Sequence, residues 1–433
     1  MKIIKLYISI LLLTLSSTTG WSETLTIDDL VENPSDGLVY KKFTSIPFSG
    51  SVLPNSEDEI PVKGSYKDGE RDGLWEYYYE NGLLFYKANY KEGKEDGLWE
   101  YFRYNGQLET RGNYKDEKKV GLWETFHNTG QLLNKGNYKD GERDGLWEYF
   151  RYNGQLATRG NYKDGKEDGL WERYNVNGQF KTRGNYKNGK KEGLWESFDD
   201  YGEVESRGNY KDGKKVGLWG NFYDNGQLSS KGKYKDGKPE GLWEFFYYNR
   251  QLKSKGTYKD GKPEGLWEFF RDNGQLKSKG NFKDGIEESL WENFYSYGQL
   301  ESRGNFKDGK QDGLWESFHD NGQLESRGNY KDGNKDGLWE SFYDNGQLDQ
   351  KGNFKDGKEE GVWEYFNEDD QLETKGTFKD GIEEGLWEFF RDNGQLESRV
   401  YAKDGKPEGL FEYFNEDGTL AKTETYKDGE LVE

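Results

Sequence analysis

The chain contains no cysteine, which excludes disulfides and thiolate-bound metals. It has two histidines, His127 and His319, and seven prolines in 433 residues. Apolar runs are short as well. The longest lies within residues 6–15, too short for a stable membrane-spanning helix. No apolar stripe with a 3.6-residue period follows it, so helices are not expected. Positive charge is also scarce: 62 Lys+Arg face 82 Asp+Glu, a net charge of −20. That balance disfavours nucleic acid and anionic lipid surfaces as partners, and leaves basic proteins or neutral polymers open. A hydrophobic fraction of 31% would suggest disorder in an aperiodic chain, but the 17% aromatic content is regularly spaced.

That spacing organises everything else. Trp75, Trp99, Trp123 and their successors to Trp387 recur every 24 residues, and Phe411 takes the next position. The 15 repeats carry no insertion or deletion, as in Gly313-Leu314-Trp315-Glu316-Ser317-Phe318-His319-Asp320-Asn321-Gly322-Gln323-Leu324. A period of this length marks a repeat array rather than several globular domains. The expected fold is all-β, an elongated single-layer antiparallel meander of 24-residue hairpins, twisted or coiled. Stability should then be a sum of local terms between neighbouring repeats.

Asn321-Gly322 reads as a two-residue hairpin turn, because a type I′ turn needs positive φ at both central residues. Counting outward pairs Asp320 with Gln323, His319 with Leu324, Phe318 with Glu325, Glu316 with Arg327 and Trp315 with Gly328. Charge supports this register. The position after Trp is Glu in 14 of 15 repeats, and the position opposite is Lys or Arg in 14 of 15. Asn249-Arg250 and Asp369-Asp370 lack the glycine, which predicts weaker turns or another type there. The second connection reads as a six-residue loop, Lys331 to Asp336, closing Tyr330 against Gly337. Pro239, Pro263 and Pro407 fall in that loop, where no ladder N–H is lost. Gly328 then also meets Trp339, so each indole is expected to lie across a bare glycine backbone. Alternation places Trp315, Ser317, His319, Leu324, Gly328 and Tyr330 on one face, and Leu314, Glu316, Phe318, Glu325, Arg327 and Asn329 on the other. Trp75, Trp99, Trp315, Trp339, Gly328, Phe318, Leu324 and Tyr330 exemplify the structural ladder.

Residues 1–22 read as a secretory signal, with Lys2 and Lys5 before the apolar core and small residues Gly20 and Ser22 at the cleavage site. An exported protein, periplasmic, surface-bound or secreted, is therefore expected. Residues 23–63 differ in composition and read as a degenerate first repeat that caps the array, with strands near 38–43 and 47–52. The array itself runs over 64–433.

Catalytic chemistry finds no constellation. The histidines occupy one position in repeats eight apart, too distant for a shared site. The Lys-Asp-Gly-Lys-x-Asp-Gly connections lack the alternate carboxylates of a calcium loop, since Lys166 stands between Asp164 and Asp168. No cofactor or metal site is expected, and no enzyme. The positions two and four after Trp vary most, as in Tyr77/Tyr79, Arg173/Asn175, Ser197/Asp199 and Phe245/Tyr247. Variable side chains on a constant platform are how repeat arrays select partners, which makes Tyr77, Tyr79, Phe245 and Tyr247 candidate anchors.

The unit Gly-Leu-Trp-Glu-x-Phe, then Asn-Gly-Gln-Leu, then Gly-Asn-Tyr-Lys-Asp-Gly, resembles the MORN-repeat variant of bacterial proteins often labelled YwqK-like antitoxin. The resemblance covers about residues 64–433. It implies a β-hairpin array with a binding role and no catalytic activity. The expected function is an exported scaffold for a protein partner. A binder of envelope polysaccharide and an antitoxin-like neutraliser of a basic toxin are the alternatives.

Overall fold

The computed structural model describes residues 23–54 and 61–432; the expected export signal, residues 1–22, lies outside them. The chain forms two compact units, Met1–Lys191 and Glu192–Glu433. Each is built from antiparallel hairpins in chain order, with one 3-10 turn, Ile27–Asp29, in the first. The expected all-β meander of 24-residue hairpins is what forms.

Both turns differ from expectation, and each has taken the character expected of the other. At Asn321-Gly322 the N–H of Gly322 donates to the His319 carbonyl at 2.9 Å, and the N–H of His319 to the Gln323 carbonyl at 2.8 Å. Only Gly322 has positive φ, +85°. This is a type I turn followed by a left-handed glycine, a three-residue loop. Asn321 fixes it by accepting the Gln323 N–H at 2.8 Å through its side chain. The extra loop residue shifts the outer register. Phe318 opposes Leu324, Glu325 becomes the bulged residue, and the predicted Asp320–Gln323, His319–Leu324 and Phe318–Glu325 pairs do not form. Leu324 therefore moves to the face of Phe318. In the equivalent repeat, a Cβ at Gly220 would meet Phe222 at 3.3 Å and Leu228 at 3.4 Å together. Arg250 (φ +71°) and Asp370 (φ +61°) adopt this same turn rather than another type, and hold the strained conformation without glycine.

The six-residue loop does not exist. Lys331 pairs with Asn334 and Tyr330 with Lys335, around Asp332 (φ +51°) and Gly333 (φ +90°). That is a type I′ turn. The Gly333 N–H then donates to the Gln311 carbonyl of the preceding repeat at 2.9 Å. The leftover residues become a bulge at Gly337 (φ +83°) and Leu338, after which Gly328 still meets Trp339. Pro239, Pro263 and Pro407 consequently stand in strands, opposite Tyr234, Tyr258 and Ala402. They are tolerated because the pair next to a tight turn's closing pair is not hydrogen-bonded across the hairpin. The outward-facing Pro239 carbonyl accepts the Gly261 N–H at 3.1 Å.

The inner register is as expected: Trp315 opposes Gly328, Gly328 opposes Trp339, and Glu316 opposes Arg327. A Cβ on Gly328 would sit 2.3 Å from the Trp339 indole, so the ring lies on bare backbone. Its Nε1 donates to the Asn329 carbonyl at 3.1 Å, and Tyr330 abuts it edge-on at 5.3 Å. The ion pairs close between successive hairpins, Arg303–Glu316 at 2.6 Å and Arg327–Glu340 at 2.5 Å. Three repeats depart from the glycine, with Ala88, Val400 and Glu424 in its place. Ala88 precedes Trp99, whose buried Nε1 has no partner among the described residues. Val400 precedes Phe411, where the smaller ring makes room for the larger aliphatic side chain.

Before the array, Gly50–Leu53 pairs antiparallel with Val62–Lys67. On its other side it takes Glu23–Thr26 in parallel, and Tyr40 bridges Pro47 antiparallel. Leu30, Phe48 and Val52 are buried together beneath it.

Two outcomes are expected from denaturant unfolding. Gly256→Val, whose Cβ would fall 2.1 Å from the Trp267 ring, should destabilise its repeat by about 1–3 kcal/mol through overpacking. Adding Trp267→Phe should recover part of that loss, as Val400 and Phe411 coexist; simple additivity would refute the coupling. Asp370→Gly should stabilise by about 1 kcal/mol by relieving the left-handed residue.

Candidate binding face

The two variable positions on the tryptophan face have different causes. Four residues after Trp, chemically unlike side chains make the same contact, each sending a donor to the main-chain carbonyl 23 residues ahead. Tyr79 Oη reaches the Phe102 carbonyl at 2.8 Å and Arg103 Nη2 that of Phe126 at 2.7 Å. In the second unit, Tyr247 Oη reaches Phe270 at 2.9 Å and Arg271 Nη2 reaches Phe294 at 2.7 Å. Both histidines do the same, His127 to Phe150 at 3.2 Å and His319 to Phe342 at 2.7 Å. The type I loop leaves that carbonyl outside the ladder, and any long side chain with a terminal N–H or O–H satisfies it. Where the residue is short, as at Asp199 and Asn367, its oxygen instead accepts N–H groups of its own turn. Variation at this position is therefore compatible with one structural rule.

Two residues after Trp there is no such rule. Tyr77 stacks on Tyr86 at 4.1 Å and beside Trp75 at 6.1 Å, with a buried hydroxyl that has no partner among the described residues. Burial pushes the neighbouring Tyr86 hydroxyl far above its ordinary range, with Tyr77 adding to the effect. Phe245 lies between Trp243 and Trp267, at 6.0 and 6.2 Å, and opposite Ser230 and Ser254. Thus all four candidate anchors are half-buried within the ladder. Tyr77 and Tyr79 belong to the first unit, and Phe245 and Tyr247 to the second.

The structure also reveals a place that counting did not single out. Among the described residues, Trp315 is the one array tryptophan that is not buried. Its neighbours explain this. Ser302 and Ser317 pair beside it, as do Ser317 and Ser326, so its ring contacts are the edge-on ones of Phe306 at 5.4 Å and Tyr330 at 6.1 Å. Gln311 stands where Lys335 lies over Trp339 at 4.1 Å. Two residues after Trp315 along its strand, Ser317 begins the lining of an open hollow of about 670 Å³, with Ser326, Ser341, His319, Glu325 and Asp349 among the others. Burial and the nearby carboxylates of Glu325 and Glu301 hold the Tyr295 hydroxyl above its usual range. The sequence signal was the run of serines at successive equivalent positions.

The acidic residues of the Asp-Gly connections have structural partners. Glu288 accepts the Asp308 N–H at 3.1 Å and Asp168 that of Asn188 at 3.1 Å. No group of three or more potential metal ligands occurs among the described residues.

No curated protein matches the chain. Among solved structures, similarity extends to S. aureus TarM in complex with fondaparinux, α-GlcNAc-glycerol and UDP, at 15% identity and TM-score 0.17 over 22% of this chain and 19% of that one. It also extends to the Photorhabdus luminescens Tc holotoxin pore, at 10% identity and TM-score 0.13 over 85% and 24%. A third match is TcdB2–TccC3 without its hypervariable C-terminal region, at 11% identity and TM-score 0.15 over 89% and 23%. The chain spans less than a quarter of each of these structures, and scores this low carry no argument about function. The sequence family is another matter. The MORN repeat variant model matches 13 segments from 71–92 to 407–428. It passes over the repeats of Trp171 and Trp291, which nevertheless pair in the same way. The chain belongs to the MORN repeat variant family.

Proposed function

We propose that the chain is an exported, non-catalytic scaffold that holds a protein partner on its tryptophan face. MORN repeats suggest a repeat scaffold for protein interaction, and the family is generally non-catalytic. The observation that carries the reading is the partly exposed Trp315 indole on the face that carries a hollow lined by Ser317, Glu325 and Asp349. An indole accepts an aromatic or cationic side chain, and carboxylates favour a basic one. The array fills the same seat from within at Trp339, with Lys335. Tyr77 and Phe245 would add ring edges to this face, while Tyr79 and Tyr247 would act mainly by holding neighbouring hairpins together.

The test uses residues that the array already tolerates at the same position. Phe245→Ser copies Ser317, Tyr77→Thr copies Thr125, and Ser317→Arg copies Arg173 and covers Trp315. Ser317→Arg should leave the unfolding free energy within about 0.5 kcal/mol of the parent, whereas Phe245→Ser and Tyr77→Thr remove half-buried rings and should cost about 1–3 kcal/mol without unfolding the array. Proteins captured from the extracytoplasmic fraction by the parent chain should be lost with Ser317→Arg. Equal capture by all variants, or retention on purified envelope polysaccharide instead of protein, would overturn the reading. Export is tested separately: N-terminal sequencing of the fractionated protein should give a start near Glu23, and an intact Met1 in the cytosol would refute it.

A further inference from the structure

The opposite face poses a separate question. The residue immediately before each Trp, or before Phe411, is Leu in 14 of 15 repeats, Val362 being the exception. Packing accounts for the constancy of Trp, Gly and Tyr. It does not account for this one, because these aliphatic side chains are 40–62% exposed. A single exposed leucine needs no explanation, but one at the same exposed position of every hairpin does. In the second unit these positions run from Leu194 to Leu410, one side chain per hairpin, spaced by polar residues of the paired strands such as Asn209, Asn305 and Asn329. Beside it runs a row of ion pairs, such as Lys279–Glu292 at 2.7 Å and Arg303–Glu316 at 2.6 Å. This strip is close to electrically neutral on a chain that carries −20 overall.

We propose that the leucine row of residues 192–433 is the contact surface for a second copy of the same chain, packed face to face about a twofold axis. Three observations select that occupant. First, a partner with the same 24-residue period presents an apolar side chain opposite each leucine, whereas an unrelated surface matches at one or two positions. Second, copies of charge −20 can approach only where their own charge is cancelled. Here Glu and Lys/Arg alternate along a single row, so two copies can meet there without a net charge of one sign on either side. Third, ten half-exposed aliphatic side chains offer roughly 80 Å² each, which approaches the ~800 Å² a standard interface takes from each partner. This surface lies on the face opposite Trp315, so it leaves the tryptophan face open and stands or falls independently of the partner proposed there.

The experiment is sedimentation equilibrium of the full chain and of a variant carrying Leu266→Gln, Leu290→Gln, Leu314→Gln and Leu338→Gln. The parent should sediment as a dimer, and the variant as a monomer or with a dissociation constant raised at least about tenfold. A parent that stays monomeric at about 100 µM, or a variant that stays dimeric, would overturn the proposal. So would flotation of a monomeric parent with phosphatidylcholine vesicles that the variant loses, since the row would then be a lipid contact. If the fourfold variant does not fold, the absence of native cysteine gives a second route. Single Leu266→Cys, Leu290→Cys and Leu314→Cys chains should include one that forms a covalent dimer under mild oxidant. Ser317→Cys, on the other face, should not. Crosslinking at Ser317→Cys alone, or at none of the four, refutes the arrangement.

Discussion

The structure depends on one contact, an indole lying flat on the backbone of a glycine in the preceding strand. It gives a single-layer sheet what such a sheet otherwise lacks, a large apolar surface withdrawn from water without a second layer. Glycine is required because a Cβ at this position would fall 2.0–2.3 Å from the following Trp ring, as at twelve glycines between Gly64 and Gly376. The indole N–H then reaches a carbonyl left open by the neighbouring bulge, so apolar and polar requirements are met by one side chain. At the exceptions, Ala88 lies opposite Trp99, and Val400 coexists with Phe411 rather than Trp. The buried N–H groups of Trp99 and of Trp387, which does follow a glycine, have no partner among the described residues.

The two turns follow from how each strand end disposes of its backbone groups. Asp-Gly turns bend tightly with two left-handed residues, and their tips hydrogen-bond to the previous repeat. Asn-Gly turns use a wider type I loop, which strands a carbonyl that Tyr, Arg or His from the previous repeat then satisfies. Repeats are thus stitched at both strand ends as well as by the ladder between them. This bears on function. Chemical diversity at the fourth position after Trp looks like selectivity but has a common structural cause, so partner choice is sought at the second position and at the places it leaves open.

Two faces with different character result. On the tryptophan face, Trp315 is the one described array tryptophan that is partly exposed, with the carboxylates of Glu325 and Asp349 on the same face. The leucine face is regular, apolar in a narrow row and nearly neutral beside it. A protein interaction on the first and self-association on the second make different chemical demands, which is why they can be separated by substitution.

How much of this was legible beforehand follows from which interactions are periodic. Residue order alone specifies the repeat, the all-β class, the pairing of Trp315 with Gly328 and Gly328 with Trp339, and the Glu–Lys/Arg register, because each reduces to counting along a fixed 24-residue period. It also locates both turns, Asn-Gly and Asp-Gly, since few residues accept left-handed backbone. It does not specify which turn is tight. Asn and Asp each accept both turn geometries, and the choice depends on whether a neighbouring repeat supplies a hydrogen bond at that end. One residue more or less in a loop then moves Leu324 to the other face and puts the prolines into strands. Only the folded array decides that Tyr79 and Tyr247 hold the sheet together and that Trp315 is partly exposed. Both facts rest on contacts between residues 23 or more apart, or on what the neighbouring strands lack, and neither is written at the position it concerns.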